Sequence, residues 1–148
     1  MQITKHTDYA LRLLMYLSVR SERTTIQQAA NALGVSRNHL VKITNRLGGL
    51  GHIDLVRGRS GGISLSRAPE DISVGSVFRE LENCVLVECF DEHATRCVFT
   101  GNCVLEEAIR SALEAFCRTL DRVTLADLVQ KRTRVQSLVG IQPANPPR

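Results

Sequence analysis

The feature that most constrains this chain is a short break, Gly34-Val35-Ser36, between two segments with helical apolar spacing. Thr25 suits the N-cap of the first segment, and Gly34 suits its left-handed stop. Ser36 is a second N-cap. The segment it opens, residues 37–47, sets Leu40, Ile43 and Leu47 on one face and Arg37, Asn38, Lys42, Asn45 and Arg46 on the other. Two helices joined by so tight a turn form a helix–turn–helix. Upstream, Ala10, Leu11, Leu14, Met15 and Leu17 predict a helix over about residues 7–20, with Thr7 and Asp8 as starters. Downstream, residues 53–56 and 63–65 alternate as strands do. Between them Arg57-Gly58-Arg59-Ser60-Gly61-Gly62 reads as a basic hairpin tip. The expected fold is mainly α: a winged helix–turn–helix with a two-stranded wing over residues 1–68, followed by a long C-terminal dimerisation helix.

Pro69 closes that unit. Residues 73–82 read as a short helix and residues 84–103 as a cysteine-bearing loop, so 69–103 is a connecting region. A longer helix follows, over about residues 104–122. Leu105, Ala108, Ile109, Ala112, Leu113, Phe116 and Leu120 form its stripe. That stripe is a candidate homodimer seam, and packing on its own domain is the competing use. Thr124-Leu125-Ala126-Asp127 opens a further short helix with a capping box, completing a unit at 104–130. Residues 131–148 end in Gly140 and three prolines and are expected to lack fixed structure.

Charge is divided unevenly. Residues 1–68 hold 10 Lys and Arg against 3 Asp and Glu, whereas residues 69–148 hold 9 against 12. A basic first half points to a polyanion as partner. Aromatics are 4% and Trp is absent, so the core must be aliphatic. No apolar run is long enough for a membrane span, and the N-terminus lacks a secretory apolar stretch, so a cytoplasmic location is expected. No nucleophile–base pair, phosphate loop or paired-carboxylate signature is present, which argues against an enzyme.

The first turns of a recognition helix face base edges in the major groove of double-stranded DNA. Here they offer Ser36, Arg37, Asn38 and His39. Arg can grip guanine and Asn adenine through paired hydrogen bonds. Lys42 and Arg46 suit phosphates further along, and Thr25 and Gln28 suit them from the preceding helix. Arg57, Arg59 and Ser60 on the wing tip suit a narrow minor groove.

Five cysteines are present: Cys84, Cys89, Cys97, Cys103 and Cys117. Without an export signal a disulfide framework is not expected, and clustered thiols point to metal or redox chemistry. The spacing lacks the close Cys-x2-Cys pair of a small zinc site. Loosely spaced thiolates suit an iron–sulfur cluster, whose ligands are spread in space. Cys117, beside Phe116, reads as a small core side chain, and Cys84 as core or a spare ligand.

These motifs resemble the Rrf-two family of winged-helix regulators. The resemblance rests on Thr4-Lys5-His6-Thr7-Asp8-Tyr9-Ala10-Leu11-Arg12, on Gly34-Val35-Ser36-Arg37-Asn38-His39-Leu40-Val41-Lys42-Ile43 and on the wing Arg57-Gly58-Arg59-Ser60-Gly61-Gly62-Ile63. Val77-Phe78-Arg79-Glu80-Leu81-Glu82 and Leu125-Ala126-Asp127-Leu128 are similar to its nitric-oxide-sensing branch. It implies a homodimeric repressor on a pseudo-palindromic operator, with nitric oxide as effector. It implies a cluster, taken as 4Fe–4S with 2Fe–2S as the alternative, held by Cys89, Cys97 and Cys103. In one branch the fourth ligand is an aspartate on the partner's first helix, which corresponds to Asp8 here. In another it is a histidine at the position of Glu106. Cys84 is a further possible fourth ligand. A helix-terminal charge is the plain alternative for Asp8. Two rival functions stay open: a redox- or cluster-status-sensing regulator, and a cluster-free thiol switch.

Overall fold

The core is laid down by three helices that each bury one face. In the computed structural model, which describes residues 2–20, 22–58, 61–84, 86, 87, 90 and 103–141, α1 spans Lys5–Ser18, α2 Ile26–Leu33 and α3 Arg37–Gly49. Leu13 and Leu14 of α1 meet Leu40, Ile43 and Leu47 of α3 in one buried cluster, which Ala29 and Ala30 of α2 and Val35 of the turn complete. Each buried Leu, Ile or Val side chain contributes about 1.5–3 kcal/mol relative to leaving it in water.

The turn is set by caps. Thr25 and Gln28 form a full capping box at the start of α2. Gly34 ends it at φ +63°, a left-handed conformation that a side chain would strain. The Ser36 hydroxyl then accepts the His39 N–H at the start of α3. Helix α3 runs past the expected Leu47 through Gly48 and Gly49. The first helix departs from expectation. Its N-cap is Thr4, so Thr7 and Asp8 lie inside the first turns and Thr7 is buried. The Thr4 hydroxyl accepts the Thr7 N–H at 3.3 Å, and the Thr4 N–H and hydroxyl both donate to Glu82 Oε1, at 2.7 and 2.9 Å.

Strands β1 (Ile53–Val56) and β2 (Gly62–Leu65) pair antiparallel, with Ile53 opposite Leu65 and Val56 opposite Gly62. Thr24 extends this wing by exchanging two backbone bonds with Ile63, at 3.0 and 2.8 Å. Ile53 and Ile63 are the buried residues of the two strands and seat the wing on the core.

After a 3₁₀ turn at Pro69–Asp71, α4 (Val74–Leu81) packs against both α1 and α5 (Val104–Asp121). Gly75 lets α4 meet the end of α5 closely, because a Cβ there would lie 2.7 Å from the Asp121 amide nitrogen. Arg79 Nη1 bonds Asp121 Oδ1 at 2.7 Å, and a second guanidinium nitrogen reaches the other carboxylate oxygen. The chain then returns: Val74 N–H donates to Val123, Leu125 N–H donates to Ile72, and α6 (Leu125–Leu128) puts Leu125 into the main cluster. One apolar core therefore runs from α1 to α6.

Residues 131–148, expected to lack structure, instead begin with a helix, α7 (Arg132–Leu138). The Arg132 and Gln136 side chains hold it to the Val19 carbonyl, at 3.3 and 3.1 Å. This long-range tether overrides a composition that carries little helical signal.

Two carboxylates at the α5–α6 corner are held in their charged form. The Arg79 guanidinium holds the Asp121 carboxyl below the usual range, and the Thr124 N–H and hydroxyl do the same for Asp127. A depressed folded pKa means stabilisation that is present above the unfolded value of about 3.9 and fades as pH falls through the folded value. Replacing both residues (Asp121→Asn with Asp127→Asn) should flatten the acid side of the melting-temperature profile below about pH 4, as followed by circular dichroism. An acid limb identical to that of the parent protein would contradict the assignment.

Candidate nucleic-acid interface and cysteine centre

Successive residues of α3 point about 100° apart. Leu40, Ile43, Thr44 and Leu47 are buried, so the centre of the free face falls on Asn38, Lys42 and Asn45. All three are exposed, as are Arg37, His39 and Arg46 on its flanks. Arg37 turns toward the wing. It shares with Asn45, Arg57, Gly58, Thr25 and Gln27 the lining of a groove of about 510 Å³ between α2, α3 and the hairpin. The groove thus joins the recognition helix to the wing base. Asn45, on the exposed face identified in sequence, is a groove residue that sequence reasoning had not singled out as a contact; its position two turns after Asn38 was the available signal.

The flank residues are partly engaged within the fold. The His39 ring lies 6.3 Å from that of Tyr9, and Arg46 Nη2 donates to the Glu80 carbonyl at 3.0 Å. Gln28 Oε1 accepts from the Thr25 amide at 2.9 Å and from its hydroxyl at 3.1 Å, so these two side chains primarily cap α2. Ser36 likewise caps α3. Arg59 and Ser60 lie outside the described residues. The face as a whole presents Arg37, Lys42, Arg46 and Arg57 with no carboxylate in the groove lining, an arrangement that attracts phosphate.

The candidate metal ligands are less completely placed. Cys89 and Cys97 lie outside the described residues. Cys103 is a free, half-buried thiol at the N-cap of α5. Among the described residues no three metal-binding side chains converge. The start of the cysteine segment is nevertheless located. Phe90, which follows Cys89, lies under the Arg110 guanidinium, whose carbon is 4.7 Å from the ring centre. Arg110 also bonds Glu106 Oε1 at 2.8 Å, one turn from Cys103. Phe90 and Cys103, which flank residues 91–102, are therefore both held on the first two turns of α5, while Cys84 lies further along it beside Cys117. Glu106 is committed to that ion pair.

Asp8 faces outward from the first turns of α1, 42% exposed at its side chain, and pairs with Arg12 at 2.8 Å. Cys84 lies just beyond α4, where burial pushes its thiol pKa up and the nearby Cys117 and Glu82 add to this. Cys117 is buried, as expected for a core side chain. Three loosely spaced thiols, one of them set at a helix start, fit the soft ligand field that an iron–sulfur cluster requires.

Comparison with known proteins agrees with this geometry. The family model described as Rrf2, iron-dependent transcriptional regulator, matches residues 3–131. The HTH-type transcriptional regulator NsrR of Geobacillus kaustophilus is 48% identical over 142 residues, covering 94% of this chain and 97% of that protein. The NsrR of Bacillus subtilis is 41% identical, covering 96% and 99%. Among solved structures, T. potens IscR superposes with a TM-score of 0.72 at 23% identity, covering 92% and 91%. Oxidized Staphylococcus aureus CymR gives 0.70 at 23%, covering 88% and 97%; both likenesses speak for the fold alone. No enzyme stands among these relatives, and no described helix is long and apolar enough to cross a membrane. On the family match and the near full-length NsrR relatives together, the chain belongs to the Rrf2 family of winged-helix transcriptional regulators, among its NsrR-type members.

Proposed function

We propose that this regulator is a homodimeric repressor that holds a pseudo-palindromic operator while an iron–sulfur cluster is bound, and releases it when nitric oxide attacks that cluster. The observation that carries the reading is the joint placement of two sites. The exposed basic face of α3 and the wing is one candidate, and the first turns of α5, against which Phe90 and Cys103 both lie, are the other. Helix α4 lies between them, packed on α1 and α5 and bonded to Arg46 of α3.

In this reading Arg37 and Asn38 read base edges, while Lys42, Arg46, Arg57 and the wing residues Arg59 and Ser60 bind phosphate or the minor groove. Thr25 and Gln28, already paired at the α2 start, add a helix N-terminus to the phosphate contacts. The dimer forms on α5. Of its expected stripe, Phe116 meets Phe78 of α4 edge-on at 5.2 Å, and Leu113 lines hollows beside α4. Ile109 and Leu120 are half-buried, whereas Leu105 is 65% exposed and Ala108 and Ala112 are exposed with it, next to Val104 at 79%. An uncovered apolar helix face of this length suits a second copy of the same helix.

Cys89, Cys97 and Cys103 would hold the cluster, 4Fe–4S in this proposal, with Asp8 of the partner subunit as fourth ligand. When bound, the cluster supplies iron that nitric oxide can attack. A carboxylate is a hard ligand and holds soft, thiolate-bound iron weakly, so the Asp8 position is the open one. Its Arg12 partner orients the carboxylate. Because Asp8 lies on α1, which packs against α3, its engagement would tie the two reading heads to one separation.

Two outcomes follow for operator binding measured anaerobically by fluorescence anisotropy. Arg37→Ala should weaken the selected operator by about 1–3 kcal/mol and relax sequence preference, whereas Lys42→Ala should weaken all duplexes alike and lower the salt slope by about one. Equal effects of both on selected and unrelated duplex would remove Arg37 from base readout. Asp8→Ala should leave the three thiol ligands intact but change the concentration of nitric oxide needed for release. An unchanged titration would exclude Asp8.

A further inference from the structure

The base of the wing holds a polar chain centred on a buried histidine. His52, between α3 and β1, is fully buried. Its Nδ1 lies 2.7 Å from Arg67 Nη2, and its Nε2 lies 2.5 Å from Glu80 Oε2. A guanidinium only donates, so Nδ1 is an acceptor and Nε2 carries the proton that it donates to the Glu80 carboxylate. Both ring nitrogens are thereby committed, and the imidazole has one orientation. Any other would leave a buried donor or acceptor unpaired.

Three elements end on this chain. Arg67 follows β2, His52 precedes β1, and Glu80 belongs to α4. Ser66 ties the two strand ends together, its N–H donating to the His52 carbonyl at 3.1 Å and its hydroxyl to the Gly51 carbonyl. Glu80 takes a second bond through its backbone, where the carbonyl accepts from Arg46 in the last turn of α3. One residue of α4 is therefore bonded to the wing base through its side chain and to the recognition helix through its main chain.

An apolar contact would hold the wing down at lower desolvation cost, but it would allow the wing to slide. The Arg67–His52–Glu80 chain instead fixes its angle. We propose that Glu80, acting through His52, is the positioning residue that sets the wing against α3, so that duplex contact by Arg57 depends on the placement of α4. Four residues after Glu80 the chain reaches Cys84 and the cysteine segment. A displacement of that segment then has a covalent path, through α4, to the wing.

This rests on the DNA-binding reading and not on the cluster. The test is a double-mutant cycle on the full-length protein, with a duplex selected from random sequence by the parent protein as probe. Iron is counted in every variant, and comparisons are made at equal content. Glu80→Ala should weaken binding about tenfold, and Glu80→Gln should stay within about twofold because its amide oxygen still accepts the Nε2 proton. Arg57→Ala should cost about tenfold in the parent background but under about twofold on top of Glu80→Ala, with its change in salt slope lost as well. Should Glu80→Ala fail to fold, Arg67→Ala, an exposed substitution that frees Nδ1, takes its place in the cycle. Equal Arg57→Ala penalties in both backgrounds would overturn the proposal and leave Glu80 a contributor to stability only. A parent protein that selects no duplex would overturn both the proposal and the DNA-binding reading.

Discussion

The packing of α3 on α1 is the contact from which the rest of the structure follows. Leu40, Ile43 and Leu47 fill the space left by Leu13 and Leu14, and none of the five is more than 1% exposed. With that face committed, Asn38, Lys42 and Asn45 have no direction but outward. The same contact fixes Asp8, one turn above Arg12 on α1, relative to the reading face. A polar surface free to meet a polyanion is thus a by-product of aliphatic burial, and the charges on it do not have to hold the fold together.

Helix α4 distributes that geometry. Three charged residues within one turn each tether a different element: Arg79 the end of α5 through Asp121, Glu80 the wing and α3 through His52 and Arg46, and Glu82 the start of α1 through Thr4. The exposed Arg79–Asp121 pair adds little stability by itself. The value of the three tethers lies in direction, since each fixes where one element sits relative to the helix that leads into the cysteine segment. The proposed sensing needs such an element, because a change at the cysteine segment matters only if it reaches the residues that would meet the duplex.

Local chemistry was legible in the sequence. The Thr25, Gly34 and Ser36 caps, the wing hairpin and the Thr124–Asp127 capping box appear where short-range rules put them. What escaped depends on partners far along the chain. Glu82 anchors the Thr4 cap, Val19 accepts the α7 side chains, and His52 gains a role only when Arg67 and Glu80 close on it. The candidate site divides in the same way. The α3 face could be read from its period, whereas the commitment of Glu106 to Arg110 and of Arg46 to Glu80 could not. The Cys89, Cys97 and Asp8 assignments came from family resemblance rather than from spacing.

The central claim is that the cysteine segment carries inorganic iron that governs the dimer on DNA. Native mass spectrometry of anaerobically prepared protein, before and after nitric oxide, addresses it most directly. The account predicts a dimer heavier than two chains by iron and sulfide, which loses or exchanges that mass for nitrosyl adducts and at the same time loses its bound operator duplex. A dimer at the bare polypeptide mass that resists reconstitution and keeps its operator under nitric oxide would contradict it.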